Sequence, residues 1–221
     1  MKKQPFQFKK IILGFIFLAG IASFSTAQNV RFNAYTAYVF DDNVDSYYDP
    51  YNYYQGRING GFQWGGGLEF MVDQTKGIEL KYLRRDAIAP MEYYKDGSVK
   101  YKDFDLAMNY ILIGGSNYFK TGGKVEPYAG AAIGMNILTA KNVDVTTDNT
   151  VTKFAWGIKL GTNIWATEKV GLKLQADLLS VVQSAGGSFY FGTGGSGAGL
   201  SAYSTVYQWV LGGGLTFKLG K

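Results

Sequence analysis

The sequence predicts an all-β protein, an eight-stranded antiparallel up-and-down transmembrane β-barrel with short periplasmic turns and long extracellular loops. Three observations predict it. Eight stretches alternate apolar and polar residues, the connections between them alternate long and short, and an export signal precedes the first. Side chains on a strand point to opposite faces in turn, so each such stretch has a greasy face and a polar one. Eight of them behind a signal suit a barrel whose outside meets lipid.

Residues 1–27 read as a cleavable signal peptide, and 28–221 as the barrel domain. Lys2, Lys3, Lys9 and Lys10 form a basic front, Ile11 to Ala22 an apolar core, and Ser25-Thr26-Ala27 a small-residue cleavage site before Gln28. An uncleaved anchor would need about 20 apolar residues, more than this core offers. The chain has no cysteine, which excludes a lipid anchor on that residue. The destination implied is the cell outer membrane.

Charge and composition narrow the function. The whole chain carries +5, but the first 27 residues hold four lysines and no acid. The remainder has 18 basic against 17 acidic residues, so nucleic acid is not expected as a partner. The 30 glycines are about twice average usage. With 17 Tyr and 15 Phe they suit a tightly curved sheet with aromatic interface belts. The chain contains no histidine, the commonest general base and metal ligand, so neither an enzyme nor a cofactor is expected.

The eight strands fall at about 29–40, 57–72, 77–88, 103–119, 125–139, 152–166, 170–183 and 204–219. The turns after the second, fourth and sixth are tight, at 73–76, 120–124 and around 167–169. The connections 41–56, 89–102, 140–151 and 184–203 are long, and fall on the extracellular side. Alternation assigns the faces. The second strand turns Ile58, Phe62, Trp64, Leu68, Phe70 and Val72 outward, with Asn59, Gln63 and Glu69 inward. The fourth sends Phe104, Leu106, Met108, Tyr110 and Leu112 to lipid, and Asp103, Asp105 and Asn109 inward. The seventh puts Leu172, Leu174, Ala176 and Leu178 outside, and Lys173, Gln175 and Asp177 inside. The last puts Tyr207, Trp209, Leu211, Leu215, Phe217 and Leu219 outside. Small residues blur both faces of the fifth. A soluble barrel would show the same period with the faces exchanged.

An eight-stranded interior is just wide enough for side chains to fill. The charged residues expected there are Arg31, Glu69, Glu79, Lys81, Arg85, Asp103, Asp105, Lys159, Lys173, Asp177 and Lys218. Unpaired buried charge is costly, so these should pair. A turn centred on Thr75 sets Glu69 against Lys81, and one centred on Glu168 sets Lys159 against Asp177. The network would be a polar plug or, alternatively, the lining of a solute path.

Two segments carry a family likeness. Gly214-Leu215-Thr216-Phe217-Lys218-Leu219 resembles the C-terminal insertion signal of small outer-membrane barrels, with Gly214, Phe217 and Leu219 at its key places. It departs in lacking the upstream polar residue and in ending Gly220-Lys221. Glu126-Pro127-Tyr128-Ala129-Gly130 resembles the Pro-Tyr-Gly strand start of these barrels. With the strand pattern, the chain resembles the family typified by the membrane domain of outer membrane protein A, OmpX and OmpW. The Ala27-Gln28 junction and Tyr-rich loops resemble Bacteroidetes members. The resemblance implies a non-enzymatic structural or interaction protein, or a narrow OmpW-like channel for small or hydrophobic solutes. It also implies outer-membrane lipid and the outer-membrane insertion machinery as partners, with an extracellular ligand or protein possible at the loops. The chain runs no further than Lys221, so the peptidoglycan-binding domain of larger relatives is not expected.

Three loop features invite a functional reading. Tyr47, Tyr48, Tyr51, Tyr53 and Tyr54 suit a rigid contact surface or an interfacial girdle. Asp41, Asn43 and Asp45 open like a calcium loop, but Ser46 and Asn52 stand where glycine and glutamate are needed, so no metal is expected. Gly192 to Gly197 fits G-x-G-x-x-G without the strand–helix context that motif requires, and reads as an outer loop.

Overall fold

The structure, a computed structural model, describes residues 30–49, 52–95, 98–142, 145–182 and 206–219. These form ten strand segments: β1 (Val30–Val39), β2 (Asp42–Asp49), β3 (Asn52–Ile58), β4 (Gly61–Met71), β5 (Lys76–Lys95), β6 (Ser98–Tyr118), β7 (Val125–Asn142), β8 (Val145–Trp165), β9 (Val170–Val182) and β10 (Val206–Lys218). Segments β1, β4 and β5 to β10 pair antiparallel in order, and β10 closes on β1. That makes a closed eight-stranded antiparallel barrel. The β2–β3 hairpin continues β1 and β4 beyond it.

Register sets the shape. A path drawn across the strands from Val30 runs through Phe70, Ile78, Gly115, Ala131, Ile158, Leu178 and Trp209. It returns to β1 at Phe40, ten residues above its start, where Phe40 N–H donates to the Trp209 carbonyl at 3.0 Å. With eight strands, such a stagger tilts them by about 35–45° to the axis and leaves an interior that side chains can fill.

The three tight turns are built by short polar residues. Asp73 Oδ1 accepts from Thr75 N–H (2.6 Å), the Thr75 hydroxyl (2.8 Å) and Lys76 N–H (2.8 Å). Thr167 Oγ1 accepts from Lys169 N–H at 3.2 Å and Val170 N–H at 3.0 Å. Gly122, between β6 and β7, has φ 76°, a left-handed conformation that glycine adopts without a Cβ clash.

The segments 41–56, 89–102 and 140–151, expected as loops, are largely strand. Strand β5 runs on to Lys95 with β6 starting at Ser98, and β7 reaches Asn142 with β8 starting at Val145. Tyrosine, valine and threonine there keep β-propensity past the apolar belt, so hairpins continue where loops were expected. The kink at Asn59-Gly60 has a further effect. From Gly56 to Gln63 seven steps of one strand face six of β5, from Met91 to Arg85. The extra residue is a bulge, and it reverses the faces beyond it. Ile58, expected toward lipid, is therefore buried inside, and Asn59, expected inward, is half-buried with Arg57 Nε bonded to its side chain.

The outward face is apolar around the barrel. Phe62, Trp64 and Leu68 on β4, Ile78 and Leu80 on β5, and Trp209, Leu211 and Leu215 on β10 all point away from the interior. Aromatic pairs sit among them: Tyr38 with Phe40, Trp64 with Tyr82, and Trp156 with Tyr207 toward the hairpin end, and Phe32 with Phe217 at the opposite end.

Candidate functional site

The interior has two halves. Toward the tight turns it is charged. Glu79 is the hub: its carboxylate accepts from Lys159 Nζ (2.9 Å), Asn33 Nδ2 (2.8 Å) and the Tyr35 hydroxyl, with Lys81 Nζ at 3.9 Å. Glu69, its cross-strand partner, accepts from the Tyr118 hydroxyl and from Asn33 at 3.4 Å. Alternation on β1, β4 and β5 aims these groups inward, and Gly67 leaves the space the Glu79 carboxylate occupies. Any Cβ at Gly67 would collide with it.

The mouth by the tight turns is closed by a second cluster. Glu126 accepts from Arg31 Nη1 at 2.9 Å, Asn163 Nδ2 at 3.0 Å and Lys120 Nζ. The Arg31 guanidinium lies over Tyr118 and Trp165, at 4.6 and 5.2 Å from the ring centres. Lys218 Nζ covers Trp165 at 4.0 Å, and Lys173 Nζ covers Tyr128 at 4.5 Å. Tyr128 donates to Gln175 at 2.7 Å, and Gln175 passes a hydrogen bond on to Asp177. Buried ion pairs add little net stability by themselves, but a connected network rigidifies the space it fills.

Toward the hairpins the interior is largely apolar, with Gln63, Arg85, Asn136, Lys153 and Gln208 buried within it. Val39, Ile58, Leu83, Met91, Phe104, Leu106, Met108, Leu112 and Val210 pack in one cluster. Here β6 is inverted relative to the sequence reading. Phe104, Leu106, Met108, Tyr110 and Leu112 are buried inside; Asp103 and Asp105 are exposed outside and belong to no interior network. Cross-strand partners share a face. Leu80 pairs with Ile113, both outward, and Glu79 with Gly114, both inward. The middle of β6 is apolar on both faces, so its own alternation does not choose between them.

The remaining sequence-predicted charges are inside, with two changes. Arg85 sits in the apolar half, apart from the ion network, where Nη2 donates to the Asn59 carbonyl. Glu69 faces Glu79 instead of Lys81, because the β4–β5 hairpin centres on Gln74, one residue before the expected Thr75. Lys159 does stand across from Asp177, yet its short ion pair goes to Glu79. Sequence reasoning missed Asn33, Tyr35, Tyr118, Glu126 and Tyr128. The parity of Arg31 would have placed Asn33 and Tyr35 with it.

At the last strand, Gly214 faces Tyr35, Phe217 stacks on Phe32 at 6.2 Å, and Leu219 N–H donates to the Val30 carbonyl at 2.7 Å. In the hairpin, Tyr47 and Tyr53 are cross-strand partners and Tyr54 pairs with Ser46 and Tyr93. Tyr51, the side chains of Tyr47, Tyr48, Tyr53 and Tyr54, the 192–197 segment and residues 1–29 lie outside the described residues. Asp41 bonds Gly60 N–H at 2.6 Å and Arg57 at 3.3 Å.

No protein-family profile and no curated protein matches the chain. Solved structures do. Outer membrane protein OprG of Pseudomonas aeruginosa is similar at 15% identity and TM-score 0.53, over 88% of this chain and 97% of that one. Neisserial surface protein A is similar at 16% identity and TM-score 0.52, over 85% and 97%. Outer membrane protein AlkL, in lipid bilayers, is similar at 14% identity and TM-score 0.51, over 89% and 92%. The apolar outer face, the closed sheet and these likenesses agree: the chain has the fold of the small eight-stranded outer-membrane β-barrels.

Proposed function

We propose that the protein is exported behind a cleaved signal at 1–27, spans the outer membrane as a plugged cylinder, and acts through the surfaces it presents outside. It catalyses no reaction on this reading. The carrying observation is the filled interior: Glu69, Glu79, Lys173, Tyr118, Tyr110 and Leu112 cross the lumen fully buried. Glu79 accepts from three donors and Glu69 from two, which ties both carboxylates into the packed wall. Gly214, Phe217 and Leu219 would serve as the insertion signal read by the assembly machinery. The tyrosines Tyr47, Tyr48, Tyr51, Tyr53 and Tyr54 would serve as the contact surface for an extracellular ligand or protein.

One observation favours a second reading. The apolar half of the interior suits a hydrophobic solute, as a narrow channel would require. Reconstitution separates the two. The plugged barrel gives no discrete conductance steps in a planar bilayer and no uptake of a labelled alkane into proteoliposomes. Ohmic steps or uptake above empty vesicles would overturn the plug in favour of the channel.

A further inference from the structure

The outer wall carries a groove just above the apolar belt. A polar ladder marks where the belt ends. The Tyr82 hydroxyl donates to Asn109 Oδ1 at 2.8 Å, Arg84 donates to the same oxygen at 3.3 Å, and Arg84 pairs with Asp86 at 2.8 Å. Above the ladder, two depressions of about 590 and 510 Å³ follow each other along the outer face of β5 and β6. The first lies among Asn59, Asp86, Ile88 and Asp105, over Gly60 and Ala107, which are too small to fill it. The second lies among Gln55, Arg57, Glu92, Tyr101 and Asp103. They adjoin, because Ile88 leads to Pro90 on one strand and Asp105 follows Asp103 on the other. Parity gives the direction. Leu80, Tyr82, Asp86 and Ile88 alternate outward on β5, as Tyr101, Asp105 and Ile111 do on β6. The groove therefore looks sideways over the membrane surface, continuous with the lipid-facing wall, and not into the lumen.

We propose that this groove seats the neutral saccharide headgroup of a glycolipid in the outer leaflet. It presents acceptors and donors side by side, with the Asp86, Glu92, Asp103 and Asp105 carboxylates beside the Gln55 and Asn59 amides. An ionised carboxylate accepts more than one bond, so it can take two adjacent hydroxyls of a sugar ring, while an amide both gives and takes. Tyr101, 76% exposed, offers an open aromatic face to the C–H side of such a ring. Charge excludes the nearest alternatives. Among the described residues, those four carboxylates stand against Arg57 and Arg84, each already paired with an aspartate. Such a face repels a chain bearing phosphate or sulfate. No three acids converge to hold a metal ion among the described residues. Each depression also has the size of a small-molecule site.

The proposal rests on the barrel spanning the outer membrane with its hairpins outside, so insertion is read separately, from the different gel mobility of unboiled and boiled protein. The test places the full-length barrel in phosphatidylcholine nanodiscs containing digalactosyldiacylglycerol and phosphatidylglycerol with identical acyl chains. Native mass spectrometry then reads which lipid the released barrel retains. The glycolipid should be enriched by about fivefold over its share of the bilayer, the worth of one ordinary net hydrogen bond. The double variant Tyr101→Ala, Gln55→Ala alters two exposed side chains and should bring retention down to the bulk share. Tyr207→Ala, on the outer face away from the groove, should leave the enrichment in place. For an inserted barrel, no enrichment, equal enrichment of phosphatidylglycerol, or enrichment kept by the double variant overturns the site. Free digalactosylglycerol, which lacks the tails, should not displace the glycolipid at equal concentration. Full displacement would assign the groove to a soluble saccharide and overturn the glycolipid.

Discussion

Glu79 joins four strands through one carboxylate: its own, that of Asn33 and Tyr35, that of Lys159 and, by electrostatics, Lys173 on β9. Its neutral replacement leaves Lys159 and Lys81 buried and undercompensated. Removing one partner of a buried pair costs about 3–5 kcal/mol. Glu79→Gln should therefore lower the urea midpoint of the refolded barrel by a corresponding amount. Glu79→Lys alone should be worse, and adding Lys159→Glu should restore much of the loss. Strictly additive effects of the two substitutions would refute the pairing. The pair was not legible in the sequence. A one-residue error in a turn centre moves every cross-strand partner, and a contact across the lumen between β5 and β8 leaves no mark in local alternation.

At the scale of the element, the turn between β4 and β5 rests on Asp73. Hydrogen bonds from the Thr75 backbone and hydroxyl hold its carboxyl below the usual range, outweighing its slight desolvation. A depressed folded-state pKa contributes stability that is present above the unfolded value, about 4, and is lost as pH falls through the lower folded one. Asp73→Ala should lower stability at neutral pH, where the carboxylate holds the turn, and flatten the acid side of the profile below about pH 4. A profile unchanged from the parent would show that the turn does not depend on the charge. Strand existence was legible here, because alternation is local. Strand length was not: the Tyr- and Thr-rich ends of β5 to β8 lack the apolar row that marks a membrane strand, yet still pair. The bulge at Asn59-Gly60 was likewise invisible, since a single extra residue shows only against the partner strand.

For the whole molecule, the two faces of the wall predict opposite behaviour for its tryptophans. Trp209 is 62% and Trp64 48% exposed on the outer face, whereas Trp165 is 9% exposed under Arg31 and Lys218. In vesicles of brominated lipid, a variant keeping Trp209 alone should be strongly quenched, and one keeping Trp165 alone should resist. Equal quenching of both would mean that the wall is not oriented as the register requires. The polar-inside, apolar-outside inversion is fullest in the lower half, where the ion network lies. The upper half holds a large apolar cluster, which the sequence alone concealed by distributing its residues over eight strand segments.

By itself the sequence determined the strand number, the loop asymmetry, the apolar face of most strands and the absence of histidine chemistry, because each is set within a window of a dozen residues or by composition. Tertiary structure decided which face of β6 meets lipid, which charges pair, and where Arg85 comes to rest. Those depend on the ten-residue stagger around the closed sheet. That stagger sets side chains from distant strands at one height in a lumen too narrow to leave them apart.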